Sequence, residues 1–203
     1  MRRRAFLTGG GAILAGCAAP SVRAPDAAVA RAAYRHPGPT ALTLFTTRNV
    51  GTGNGAHSGL MVDASQRVLF DPAGSFAHET LPERDDVIYG MTPRMVEYYT
   101  GYHARTSYYV VEQRVEVAPE VAERAKALAE ANGPVMPAMC SRAVTNVLRQ
   151  LPELGVSFRM TWFPDSLEDQ FARVPGVVTT EHRDDDSDDL AEARAEIDAA
   201  LRG

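Results

Sequence analysis

Three residues of this chain have the types and positions needed for nucleophilic acyl chemistry: Cys140, His57 and Asp71. A thiol attacks an acyl carbon as its thiolate, so it needs a base beside it, and the base needs a partner that fixes its tautomer. His57 stands at the mouth of the apolar run "SGLMV", behind a glycine-rich loop, and Asp71 closes the next run, "RVLFDP". If "DASQ" is a tight hairpin between them, an antiparallel pair carries both residues to one end of a sheet. Cys140 lies in "PVMPAMCSRAVTNVLRQL", after Asn132-Gly133 stops one helix and where Pro137 favours the start of the next. The thiol then falls in or just ahead of a first helical turn, where unpaired backbone N–H groups and the helix dipole favour the charged form. The same spacing also suits a core role, because Cys140, Val144, Val147 or Leu148, and Leu151 share one helix face.

Other residues compete for the chemistry. His103, in "GYHARTSYYV", ends a helix, where it could cap the dipole, contact substrate at a cleft rim with Tyr102, or replace His57 as base. His36, His78 and His182 lie in tether, loop and tail sequence with no partner suggested. Tyr89, Tyr98, Tyr99 and Trp162-Phe163 suit core or cleft lining, and one tyrosine could donate to an oxyanion. A metal site from His57, Asp71 and His103 has no tight ligand spacing, and the acidic run Asp184, Asp185, Asp186, Asp188, Asp189 lacks the glycine and final glutamate of a calcium loop. Neither metal nor cofactor is expected. Gly51, Gly53 and Gly55 make a G-x-G-x-G, but a strand follows it, so no helix N-terminus waits for a pyrophosphate. The loop serves instead to let backbone approach closely, or turn freely, beside His57.

The elements that must position these residues form an α+β pattern. Strands are expected at 41–48, 58–62, 67–72, 86–90, 107–117 and 176–180. Helices are expected from Pro93, capped by Thr92, to about 103, then at about 119–131, 137–151 and 163–173. Residues 41–181, roughly 140 of them, are enough for one domain with a real core.

The ends carry an address. "MRRRAFLTGGGAILAGC" sets three arginines before a short apolar stretch and a small-residue site, the layout of an export signal, and the stretch is too short to span a bilayer. Arg3-Arg4-Ala5-Phe6-Leu7 resembles a twin-arginine signal, and Leu14-Ala15-Gly16-Cys17 a lipobox. Cleavage would leave residues 1–17 as signal, with Cys17 lipidated and the membrane as partner. Ala18, rather than aspartate, then points to the periplasmic face of the outer membrane of a bacterial envelope. Residues 18–40, rich in Ala, Pro and Arg, suit a tether, and 182–203 a solvated acidic tail with a short helix. If Cys17 carries lipid, Cys140 has no disulfide partner within the chain. With 21 basic against 26 acidic residues the net charge is −5, and no dense basic face suggests nucleic acid.

With histidine early in "AHSGLMV…VLFDPAG" and cysteine late in "MCSRAVTNVLRQL", the chain resembles the circularly permuted papain-like bacterial lipoproteins. These are related to NlpC-type peptidoglycan hydrolases and, more distantly, to lecithin retinol acyltransferase-like enzymes. The resemblance spans about 41–175. It implies an antiparallel sheet packed on helices that include the nucleophile helix, with Cys140 as nucleophile, His57 as base and Asp71 as the third polar residue. It also implies an envelope-anchored thiol hydrolase cleaving an amide or ester bond in a peptidoglycan peptide or acyl lipid. The alternative is an inactive lipoprotein that binds an envelope ligand or partner.

Overall fold

The computed structural model of the chain describes residues 21–202, so the signal segment, the twin-arginine run and Cys17 lie outside the described residues. The elements run α1 (Asp26–Ala32), β1 (Ala41–Asn49), β2 (Gly55–Asp63), β3 (Arg67–Phe70), β4 (Glu83–Arg84), β5 (Val87–Tyr89) and α2 (Pro93–His103). They continue β6 (Tyr108–Glu116), α3 (Pro119–Glu130), α4 (Cys140–Leu148), a 3-10 turn at Pro152–Leu154, α5 (Pro164–Phe171), β7 (Val178–His182) and α6 (Leu190–Arg202). The fold is α+β: one seven-stranded antiparallel sheet in the order β4-β5-β3-β2-β1-β6-β7.

Period-two alternation sends side chains to two covered faces. On one face Leu42, Leu44, Leu60 and Val62 pack under α3, α4 and α5; on the other Phe45, Met61, Leu69 and Ile88 pack under α2 and α6. That is why β1 is buried from Ala41 to Thr47 rather than alternating in exposure. The β2–β3 hairpin closes through Asp63 opposite Arg67, whose side chains form a buried ion pair.

Local signals hold where they are local. Thr92 caps α2, its hydroxyl accepting from the Met95 N–H, with Pro93 as the first helical residue. Gly133, at φ +73, ends the α3 region. Three expectations are corrected. α4 begins at Cys140 and not at 137, because Ala138 takes a left-handed conformation, φ +65, that interrupts a helix. Residues 21–40 are no loose tether: the Ala24 N–H donates to the Glu83 carbonyl and the Arg67 N–H to the Tyr34 carbonyl, and Val29 packs on the core. The expected short helix of the tail is present as α6, but residues 182–202 are not a solvated tail, since His182 belongs to β7 and Ala193 and Ile197 of α6 are buried against the α2 side of the sheet. The acidic run itself is exposed, but Asp188 accepts from the backbone and hydroxyl of Ser107, which anchors it.

Candidate active site

The hairpin delivers His57 and Asp71 to one place. β2 runs on to Gly55, while β3 stops at Phe70 opposite Leu60, so Asp71 follows β3 beside the unpaired edge of β2. His57 is therefore the third residue of its strand rather than its first. Its Nε2 donates to Asp71 Oδ1 at 2.7 Å. The Tyr99 hydroxyl, from α2, donates to the same oxygen at 2.8 Å.

A short turn aims the carboxylate. The Gly74 N–H donates to the Asp71 carbonyl at 2.9 Å, and Ala73 between them has φ +56. The Asp71 N–H is held by the Asp86 carbonyl, and the Asp86 carboxylate accepts from the N–H groups of Ala73 and Val135. No side chain fits at two glycines here. A Cβ on Gly74 would stand 1.8 Å from Asp71 Oδ2, and one on Gly59 would stand 2.4 Å from the Tyr99 hydroxyl oxygen.

Cys140, the first residue of α4, enters from the opposite face at the gap that β3 leaves. Ser141, its neighbour, bonds Ser58, the neighbour of His57, through buried hydroxyls 3.0 Å apart. The Ser58 backbone N–H and the His57 ring both reach the Cys140 sulfur, and the Ser141 hydroxyl lies 3.9 Å from it. Burial pushes the thiol's pKa up, but hydrogen bonding and charge from His57, with the Ser58 and Ser141 donors, outweigh it and leave it below the ordinary thiol value. For His57 burial works downward, yet Asp71 and then Cys140 raise its pKa to about 10. Asp71, against its own burial, is held below the usual carboxylate range, first by His57. His57 thus rests as imidazolium, between a thiol drawn toward its thiolate and the Asp71 carboxylate.

His103 belongs to the same cluster in a different role. Its ring lies parallel to that of His57, within 7° and with centroids 5.6 Å apart, and its Nδ1 donates to the Tyr99 carbonyl at 2.8 Å. Burial first, and then the charge of His57, lower its pKa to about 4, so it is neutral where a dipole-capping cation was one expectation. Tyr102 packs edge-on to it, and the Tyr102 hydroxyl is engaged by Ser75 and Arg194. Both residues line a cavity of about 200 Å³ together with Ser75, Arg105, Tyr108 and Leu190. Nitrogen and oxygen atoms of His57, Asp71 and His103 lie within 4.8 Å of one another, but Asp71 Oδ1 already accepts from His57 and Tyr99.

Elsewhere, His78 and His182 gain carboxylate partners, Asp198 and Glu112, that their sequence contexts did not suggest. The glycine loop does allow close approach: a Cβ on Gly55 would meet the Asp165 backbone nitrogen at 2.5 Å, at the start of α5.

Sequence reasoning placed Tyr99 only as core or cleft lining, without its bond to Asp71, and missed Ser58, Ser141, Gly59 and Gly74. The serines left a signal, since each follows a reactive residue, in "HS" and "CS". Tyr99 left none, because its contact with Asp71 joins residues 28 apart on separate elements. No family model, curated protein or solved structure matches the chain.

Proposed function

We propose that the protein is a cysteine acyl hydrolase of the circularly permuted papain-like kind, a bacterial envelope lipoprotein that cleaves an amide or ester bond. The observation that carries this reading is the convergence, at one end of the sheet, of Cys140 at a helix start with a His57 that Asp71 holds at 2.7 Å. The Cys140 thiolate attacks the acyl carbon, and the backbone N–H groups at the start of α4, free of helical partners, face the developing oxyanion. His57 gives its proton to the leaving amine or alcohol as the tetrahedral adduct collapses to a thioester. It then takes a proton from water, whose oxygen attacks the thioester carbonyl and releases the acid, regenerating thiolate and imidazolium. Asp71 keeps the imidazole oriented and stabilises its cation.

Alkylation by iodoacetamide tests the pair directly. Cys140 is the only thiol among the described residues. Its labelling rate at pH 7 is expected to exceed that of an ordinary thiol, whose pKa is about 8.5, because the neighbouring imidazolium favours the thiolate. His57→Ala should slow labelling at pH 7 at least tenfold and move its midpoint toward the ordinary value. A native rate no faster than that of the His57→Ala protein, or no higher at pH 7 than for a buried thiol, would remove the base and with it the reading.

A further inference from the structure

The chemistry-bearing end of the sheet is also where large apolar side chains reach solvent. That end is defined by the start of β2 and β6, the ends of β1 and β3, and the turn before β5. Val50 follows β1, Tyr108 opens β6, and Leu190 lines the cavity beside His103 together with Tyr108. Phe163 precedes α5, whose first residues touch Gly55. Phe163 is 68% exposed, Trp162 49% and Val50 47%. Trp162 lies under the guanidinium of Arg142, two residues beyond Cys140, with 5.0 Å from Arg142 Cζ to the ring centroid. Val178, equally exposed, pairs with Arg114 at the far end of β6 and β7 and serves as a contrast.

Ser21 and Val22 lie at this same end. The Ser21 hydroxyl donates to Asp85 at 2.6 Å, and the Asp85 N–H donates to the Val22 carbonyl, just before the turn into β5. Cys17 precedes Ser21 by four residues, a reach of about 14 Å when fully extended. From β4 to β2 is three strand spacings, also about 14 Å. A lipid on Cys17 would thus hold the active-site end, not the opposite end, against the bilayer.

We propose that this end of the molecule docks on a phospholipid bilayer, with Val50, Trp162 and Phe163 entering the interface and the reactive site facing substrate carried there. Indole and phenyl groups around a cleft suit the boundary between headgroup and acyl chain, where one side is wet and the other apolar. The exposed acidic run Asp184–Asp186 approaches this end through Thr106, whose N–H donates to the Asp186 carbonyl, so apolar insertion and not charge attraction supplies the affinity. The docking stands on these surface positions; the lipid on Cys17 and the statement that substrate comes from the bilayer rest on the proposed function.

Trp162 is the single tryptophan of the chain, so its fluorescence reports the contact. The mature chain from Ala18, without lipid, is titrated with phosphatidylcholine vesicles, with and without brominated acyl chains. The emission is expected to shift to the blue and to be quenched by bromine. Replacing Val50 and Phe163 together by Ser should weaken vesicle binding at least tenfold, since each carries an exposed apolar side chain, whereas Val178→Ser should leave it unchanged. Cys140→Ser should bind vesicles like the parent, which separates docking from catalysis. Emission unchanged up to millimolar lipid, or equal weakening by Val178→Ser, overturns the proposal, as would tight binding to peptidoglycan sacculi that the double replacement abolishes while vesicles bind weakly.

Discussion

Asp71 carries two obligations on one oxygen, and that defines what Tyr99 does. The Tyr99 hydroxyl is buried and, through burial and the charge of Asp71, its pKa is raised well above the ordinary phenol value, so it remains a donor. Its ring meets Phe45 and Phe76 edge-on at 5.2 Å each, contacts that a phenylalanine would keep. Tyr99→Phe should therefore preserve packing while removing one hydrogen bond to a buried carboxylate, worth about 1.5–3 kcal/mol. The expected result is a roughly tenfold or greater loss in the hydrolysis rate of an activated ester at saturating concentration, with a smaller change in binding. An unchanged rate would show that His57 alone suffices to orient Asp71.

At the scale of elements, the site is held by one hairpin, one turn and one helix start. β3 is shorter than β2, and the difference leaves the edge over His57–Gly59 open for α4. The Ser58–Ser141 bond then fixes the register between strand and helix next to both reactive groups. The turn from Asp71 to Gly74 is the least tolerant part, because its last residue has no room for a Cβ. Gly74→Ala is expected to displace the Asp71 carboxylate, slow Cys140 alkylation at pH 7 at least tenfold, and cost about 1–3 kcal/mol of stability in chemical denaturation. Gly53→Ala makes a control for glycine loss in general: a Cβ there meets nothing within 4 Å, although its φ of +71 strains an alanine, so stability falls while labelling stays.

For the whole molecule, the site's charges set how stability follows pH. His57, raised to about 10, contributes stability that is full below the unfolded histidine value of about 6.5 and is lost as pH rises through 10. Cys140, lowered, works against this, because its thiolate is already formed where an unfolded thiol still holds a proton. Between the unfolded histidine and thiol values, about 6.5 and 8.5, the two contributions oppose each other, so stability changes less with pH there than His57 alone would make it. Below that window unfolded His103 takes up a proton that the folded ring, its pKa lowered to about 4, does not, so stability falls. Above it the unfolded thiol ionises while His57 keeps its proton, and stability falls again. Melting temperatures from pH 4 to 10 should fall toward both ends, and His103→Gln should flatten the acid limb. A profile unchanged by that substitution would mean His103 titrates normally.

The sequence by itself determined what local rules decide. The β2–β3 hairpin, the Thr92 cap, the Gly133 stop and the choice of Cys140, His57 and Asp71 all rest on period, turn chemistry and helix-end preferences within a few residues. It also narrowed the chain to an α+β class, because strand-like and helix-like periods alternate along it. Only the tertiary structure decided which residues meet across the sheet. Tyr99 reaches Asp71, His103 lies parallel to His57, and Ser58 finds Ser141 because α2 and α4 cover opposite faces, and nothing in local propensity encodes that pairing. The same is true of the ends. Residues 21–40 and 182–202 look polar and loose in composition, and become ordered because a sheet edge and the α2 side of the sheet offer each of them a surface to complete.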